Sequence, residues 1–381
     1  MTVENLYAPL QGEITAEIHF DIIWVGVVSS SYLVALAIVQ IPAGLLVDRW
    51  GPGRLMPVVV VLSGVSALVL SWSESLAALI LGRALAGASM AFCVPVMAAV
   101  CRRAFPLALF ALLIAIGEMA VGASGFLGVY GGNLVETILG WRQTFLATAA
   151  ASILVAALSF FALRGRWFGP LATQVNEPSS AAPDLNLRSL LRRPNIIDAV
   201  ILYAAGCGTM IGFGGIWNLQ LAEAWEWKEN DAAFIVAFFF VGISLGSPAC
   251  GWLATRFGSR ATILWMLGLA IPAYSIWLLI YHELPPWIDA LNVGFFGACL
   301  SCVVLAFEVA CRDLPAEKTG SVTALVALSG TLAGVVLEIA PGILCKFAPG
   351  TLLFKMQISN GIFGLTLLLA FLAATRIPKG T

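Results

Sequence analysis

Polar and charged residues are expelled from eleven stretches of this chain and gathered between them. The apolar runs are Trp24–Leu46, Leu55–Trp72, Leu76–Val100, Leu107–Tyr130 and Gln143–Leu163, then Pro194–Leu219, Ala232–Ala254, Thr262–Tyr281, Trp287–Ala310, Val322–Cys345 and Met356–Thr375. Each is about 20 residues long, which at 1.5 Å per residue is the length an α-helix needs to cross a bilayer's hydrocarbon. The pattern predicts an all-α polytopic membrane protein. Between the fifth and sixth runs, residues 164–193 hold Pro170, Pro178, Pro183 and five arginines, and read as a flexible loop between two halves. The expected organisation is therefore an N-terminal bundle over 1–163, a cytoplasmic connecting loop over 164–193 and a C-terminal bundle over 194–381.

Composition agrees with this reading. Of 381 residues, 60% are hydrophobic and 11% charged, where a soluble protein carries about a quarter. A net charge of -1 gives no basis for nucleic-acid binding. Most of the eight cysteines (Cys93, Cys207, Cys250, Cys299 and Cys302 among them) lie within apolar runs and read as small packing residues. Cys299 and Cys302 make a C-x-x-C spacing, but without a second pair or a histidine cluster no metal site is expected. With no Walker motif and no Gly-x-Ser-x-Gly nucleophile, the sequence offers neither an enzyme site nor a cofactor.

Charge sets the orientation. When alternate loops are assigned to opposite sides, fifteen of the 20 lysines and arginines fall on one side. The other side holds Arg142, Lys228, Lys346 and Lys355, and Arg83 lies inside a run. By the positive-inside rule the rich side is cytoplasmic. Eleven spans then put the N-terminus outside and the C-terminus inside, most simply in a bacterial inner membrane.

One turn organises the rest. Gly44-Leu45-Leu46-Val47-Asp48-Arg49-Trp50-Gly51-Pro52-Gly53-Arg54 joins the first two runs, and helices joined by so few residues are expected to lie antiparallel and side by side. A related stretch, Gly251-Trp252-Leu253-Ala254-Thr255-Arg256-Phe257-Gly258-Ser259-Arg260, occupies the same place in the second half, with Thr255 where the acid stood. This duplicated basic hairpin resembles the major facilitator superfamily of secondary transporters, whose loop reads Gly-x-x-x-Asp-Arg-x-Gly. The match is at Gly44, Asp48, Arg49, Gly51 and Arg54, and then at Gly251, Arg256, Gly258 and Arg260. The resemblance implies two pseudo-symmetric bundles, alternating access and twelve helices. The missing helix would precede Trp24. Leu6-Tyr7-Ala8-Pro9-Leu10 looks like its outer end, so the chain is expected to begin within it, with a true eleven-helix variant as the alternative.

Within the hairpin, Asp48 is placed to accept hydrogen bonds from the N-terminal backbone of a neighbouring helix, and Arg49 to pair with an acid. Simple topological anchoring and lipid contact is the competing role for Arg49 and Arg54. Ionisable groups inside a bilayer are costly and mark pathways by default. Arg83 opens Arg83-Ala84-Leu85-Ala86-Gly87, similar to the family's Arg-x-x-x-Gly motif of its fourth helix, which is tied to proton coupling or substrate binding; snorkelling to headgroups is the alternative. Glu118, deep in its run, is the candidate proton carrier. Glu338 is either a cavity group or a packed acid. Glu308 and Arg312 read as an i,i+4 pair. Trp217, Asn218 and Gln220 follow a glycine pair near the outer end of the sixth run and suit substrate contact or an outer hinge, Trp217 equally an interfacial belt. Gly128, Gly131 and Gly132 keep part of an antiporter motif without its proline. Gly140-Trp141-Arg142 resembles the family's entry to its sixth helix.

The expectation is a proton-coupled transporter of a small organic solute, monomeric, partnered by protons and membrane lipid. Efflux of a drug or siderophore-like compound, or a membrane sensor without transport, are the alternatives.

Overall fold

The computed structural model describes residues 7, 10, 13–19, 22–126, 132–164, 190, 193–214, 229–280 and 285–378. These are overwhelmingly helical, and no strand occurs among them. The helices are α1 (Ile22–Trp50), α2 (Pro52–Ser71), α3 (Leu76–Met90), α4 (Cys93–Ala104), α5 (Phe110–Phe126), α6 (Gly132–Arg164) and α7 (Pro194–Gly212). They continue with α8 (Glu229–Phe257), α9 (Ser259–Ile280), α10 (Pro286–Leu300), α11 (Leu305–Cys311), α12 (Thr319–Phe347) and α13 (Leu352–Arg376). Among the described residues, 11 helical spans are long and apolar enough to cross a membrane; α3 with α4, and α10 with α11, each make one.

The helices outrun the apolar runs at their charged ends. α1 continues through Asp48 and Arg49 to Trp50, because the sequence there does not disfavour helix and a cation suits a helix C-terminus. The stop is Gly51, whose φ of 82° and ψ of 144° lie in a region open essentially to glycine alone. Pro52 then opens α2 with its φ already helical and no N–H to satisfy. The second hairpin repeats this design. Gly258 has φ 84°, and its N–H bonds back to Ala254 O at 2.9 Å, as that of Gly51 does to Val47 O at 3.0 Å.

By compactness the chain forms two units. Unit 1 comprises Met1–Leu107, Ser124–Leu185 and Leu314–Leu325; unit 2 comprises Ala108–Ala123, Asn186–Asp313 and Val326–Thr381. Helices α5 and α12 therefore each begin in one unit and end in the other.

In unit 1, the two helices of the first hairpin barely touch, contrary to the expectation that they lie side by side. α1 packs on α3, and α2 packs on α3 and α6. Small residues choose these neighbours, since in lipid close backbone approach replaces the hydrophobic drive. Gly87 of α3 abuts the backbone at Tyr32 of α1, Gly82 sits on Leu70 of α2, and Gly64 of α2 faces Ser152 and Ala149 of α6. The core that results includes Val28, Tyr32, Leu70, Leu79, Trp141 and Phe145. It also takes Tyr7, Leu10 and Ile14 from the N-terminal segment, one helical face at spacings of three and four residues.

Unit 2 follows the same logic. α8 and α10 meet along Gly242 and Gly246 on one side and Gly294 and Gly297 on the other. Above that seam α7 ends by widening to π winding at Phe213 and Gly214. Phe213 is the hub of an aromatic cluster, edge-on to Phe239, Tyr274, Trp277, Phe296 and Phe363 at centroid distances of 4.8–6.3 Å. Such pairs contribute about 0.5–1.5 kcal/mol each beyond area burial. Cys250, Cys299 and Cys302 are buried free thiols, Cys302 within the 3-10 turn Ser301–Val304 that separates α10 from α11.

Candidate functional site

The charged hairpin of unit 1 is held by a helix N-terminus. Asp48 is fully buried. Its Oδ1 accepts the Gly320 N–H at 2.7 Å, and its Oδ2 accepts the Ser321 N–H at 2.7 Å together with the Ser321 hydroxyl. These are first-turn donors of α12, which have no partner within their own helix and carry the positive end of its dipole. A buried carboxylate with three donors, two of them at that end, is stabilised where a bare one would not be.

The Gly-x-x-x-Asp spacing now has a physical reason. Gly44 and Asp48 are one turn apart on the same face of α1. A Cβ on Gly44 would fall 2.5 Å from Gly320 O, and one on Gly320 would fall 2.6 Å from Asp48 Oδ1 and 2.7 Å from Gly44 O. Only a glycine-to-glycine crossing lets the carboxylate reach the backbone of α12. Two arginines at the end of α4 complete the junction. Arg102 donates from Nη2 to Leu314 O at 2.6 Å, and Arg103 donates from Nη2 to Asp48 O at 3.4 Å, near enough to Asp48 and Glu317 to feel both charges.

The other hairpin residues behave differently. Arg49 and Arg54 are exposed, and neither has an ion-pair partner among the described residues. In the second hairpin, the Thr255 hydroxyl turns back to Trp252 O at 2.7 Å, so nothing there replaces Asp48. Arg256 lies 5.6 Å from the ring centroids of both Trp252 and Phe257. Arg260 donates to Thr375 O at 2.9 Å.

Arg83 of unit 1 is buried, 5% exposed. Its guanidinium lies 4.4 Å from the Tyr7 ring and 4.8 Å from the Tyr32 ring, and Nη2 reaches Ser29 O at 3.5 Å. Aromatic faces hold the cation here, and Arg83 is turned into the unit rather than out to headgroups. Glu118 belongs to unit 2, half-buried on α5 and without a hydrogen bond to any described residue. The turn around it is packed tightly on α8: Ser244 Oγ donates to Met119 O at 3.1 Å, and a Cβ on Gly122 would lie 2.8 Å from Ser244 N. Glu338 is half-buried in α12, one turn before Pro341. Glu308 and Arg312 form the expected i,i+4 pair at 3.2 Å. Trp217, Asn218 and Gln220, and Gly128 and Gly131 of the glycine motif, lie outside the described residues.

A second junction was not anticipated from the sequence. Glu17 accepts from Trp141 Nε1 at 2.6 Å, from Arg142 Nη2 at 2.9 Å and from Arg142 Nε at 3.1 Å. Arg142 in turn donates to Ser71 O at 2.9 Å, while Ser71 Oγ donates to Arg142 O at 2.8 Å. Hydrogen bonds from Trp141 first, and then Arg142, hold the exposed Glu17 carboxyl below its ordinary value. Gly140, at φ 73°, makes the corner in α6 that presents both donors. Thus the Gly140-Trp141-Arg142 motif fastens residues 13–19 to α2 and α6.

Comparison with known proteins follows this geometry. A profile described as Major Facilitator Superfamily matches residues 1–338. A probable nitrate/nitrite transporter of Mycobacterium tuberculosis (strain CDC 1551 / Oshkosh) is 27% identical over 225 residues, 54% of this chain and 53% of that protein. A tetracenomycin C resistance and export protein of Streptomyces glaucescens is 31% identical over 235 residues, 61% of this chain and 39% of that one. The matched stretch spans about half the length of the first of these relatives. Among solved structures, the proton:xylose symporter XylE superposes with a TM-score of 0.73 at 16% identity, covering 97% of this chain and 90% of that one. The E. coli fucose:proton symporter gives 0.72 at 12% identity, covering 100% and 97%. At such identities these two establish the fold alone.

Proposed function

The chain belongs to the major facilitator superfamily, and from that premise we propose that it is a secondary transporter moving a small organic solute by alternating access, driven by protons. The observation that carries this reading is the Asp48 junction. It fixes the end of α1 to the start of α12 with hydrogen bonds that are strong when made and cheap to remake elsewhere, since on parting α12's first N–H groups donate to water and the carboxylate accepts from it. A contact of this kind suits a gate: it is local, polar and all-or-none. In the orientation set by the arginines, it lies at the cytoplasmic end, with the N-terminus outside and the C-terminus inside an inner membrane.

Glu118 is the proton carrier in this reading. It is a membrane carboxyl with no hydrogen-bond partner among the described residues, packed beside the close α5–α8 contact. Arg83, with Tyr7 and Tyr32 against its guanidinium, supplies the fixed charge on the substrate or proton path of unit 1. Glu338 of α12 is a cavity group, and Trp217, Asn218 and Gln220 are substrate contacts; Arg49, Arg54, Arg256 and Arg260 support the two hairpins. The domain arrangement is that of two bundles, 1–163 and 194–381, joined by 164–193. A second reading, efflux of an amphiphilic compound, draws on the likeness to the tetracenomycin exporter.

The test is proton flux in sealed vesicles holding the full chain or Glu118→Gln, against a panel of organic acids, sugars and amphiphilic cations. Solute-dependent flux with the wild type, and its loss together with uphill accumulation in the variant while solute exchange persists, is the expected result. Unchanged accumulation in Glu118→Gln removes that residue from the mechanism, and absence of flux for every compound removes the transport reading.

A further inference from the structure

Unit 2 contains a second membrane carboxyl, less exposed at the surface than Glu118. Asp289 stands in the first turn of α10, two residues inside the span that begins at Trp287. Trp287 is 60% exposed whereas Asp289 is 1% exposed, so the helix turns this acid inward at the point where it enters the membrane. Among the described residues, neither carboxyl oxygen has a hydrogen-bond partner.

Among the described residues no counter-charge answers it. Asn292, one turn further along α10, donates to Ala273 O of α9 at 3.0 Å. That fixes the register of α9 against α10 and sets Asp289 level with Trp277, one turn beyond Ala273. Trp277 belongs to the aromatic cluster around Phe213, at 4.8 Å, and Phe296 of the same cluster lies two turns from Asp289 along α10. The elements packed on α10 are α7, α8, α9 and the 3-10 turn. Their described charged residues are Asp198 in the second turn of α7, Arg256 in the last turn of α8 and Arg260 in the first turn of α9, all at the arginine-rich end. At the arginine-poor end, the side chains of Lys228, Glu229, Asp231, His282 and Glu283 lie outside the described residues. An ionised, buried carboxylate with no donor or cation among the described residues is an unfavourable arrangement. A neutral carboxyl needs only to forgo one hydrogen bond.

We propose that Asp289 binds a proton in the packing seen here and releases it when the arginine-poor end of unit 2 parts and water reaches the carboxyl. Asp289 is then a proton site of the transport cycle separate from Glu118, close to the face on which α10 enters the membrane. The O–H bond of the carboxyl breaks, the proton passes to water, and the carboxylate left behind holds that end open until it is reprotonated. Cycling of Asp289 during transport rests on the transporter reading; its protonation does not.

Infrared difference spectroscopy of the purified full chain separates the two. The carbonyl stretch of a protonated carboxyl should be present in the wild type at neutral pH, lose one component in Asp289→Asn and keep that component in Glu118→Gln. An unchanged band in Asp289→Asn overturns the proposal, because the group would then be ionised. Asparagine mimics the neutral acid, so the variant should fold with an unfolding temperature close to wild type; Asp289→Ala serves as a second variant should the amide misfold. In vesicles, acidifying the arginine-poor side should raise wild-type flux, and Asp289→Asn should flatten that dependence at least tenfold. Retention of the wild-type pH profile would overturn the coupling role even with the band lost. Absence of flux from the wild type would remove the transport reading and leave the band to decide whether Asp289 holds a proton.

Discussion

Replacing Asp48 by alanine should shift the equilibrium between joined and parted ends of α1 and α12 towards the parted state. The carboxylate accepts two backbone N–H groups at 2.7 Å and the Ser321 hydroxyl, and it is fully buried. Losing a capping acceptor costs about 0.5–2 kcal/mol. Each buried N–H left without an acceptor costs about 1–3 kcal/mol. Against this, the variant no longer buries a charge, which relieves several kcal/mol of desolvation. Because the losses overlap and the relief is partial, a net effect of about 2–4 kcal/mol is expected, roughly a 30- to 700-fold change in the joined-to-parted ratio at 1.4 kcal/mol per tenfold. Ser321→Ala should cost about 1.5–3 kcal/mol, since it removes one hydrogen bond to a charged acceptor. In the Asp48→Ala background it should cost almost nothing, because its partner is gone. Pulsed electron-spin distances between labels at the exposed Trp50 and the half-buried Lys318 read the ratio directly. An Asp48→Ala distribution identical to wild type, or a Ser321→Ala effect that simply adds to it, would refute the assignment of this contact as a latch.

Two other outcomes follow from local geometry. Gly258→Ala should destabilise the second hairpin by about 1–3 kcal/mol through backbone strain alone, since a Cβ there meets nothing within 4 Å and φ is +84°; hydrogen exchange at the end of α8 should quicken, and unaltered exchange would contradict the strain. Glu17 is held below its ordinary carboxylate value, so its contact contributes fully at any pH above that value and is lost as pH falls through the lowered one. Exchange protection of residues 13–18 should be flat through neutral pH and drop only in acid, with Arg142→Gln moving the drop towards the unperturbed carboxylate range.

Much of the architecture was legible because lipid imposes one rule on every span. Apolar length gave the spans without any knowledge of partners. Partners are what the sequence hides. Gly44 and Asp48 could be put on one face of α1 from their spacing, but Gly320 and Ser321 lie 272 and 273 residues away and carry no local mark of the meeting. The Arg102-Arg103 pair read only as a topological signal, although it braces the same junction. Glu17 and Arg142 lie 125 residues apart, and nothing in the Gly140-Trp141-Arg142 motif itself points to the N-terminal segment. Helix ends were also misjudged, because an apolar run stops at its first charge whereas a helix stops where the backbone must turn, at Gly51 and Gly258. Asp289 was overlooked for a related reason: an acid near the edge of a run reads as interfacial, and only the fold shows which way it points.

The two hairpins keep the same glycine geometry 207 residues apart, at φ 82° and 84°, yet only one keeps its acid. Duplication made two equivalent ends, and divergence has left a bolt on one of them. The duplicate with Thr255 has been freed from that duty, its hydroxyl spent on its own helix. On the gating reading proposed above, the opening rate at this end rests on one carboxylate, so variation at or around Asp48 retunes turnover while the second hairpin is free to drift. On that reading a faster or slower carrier is reached through a single dial, where two like hairpins would have led one to look for two.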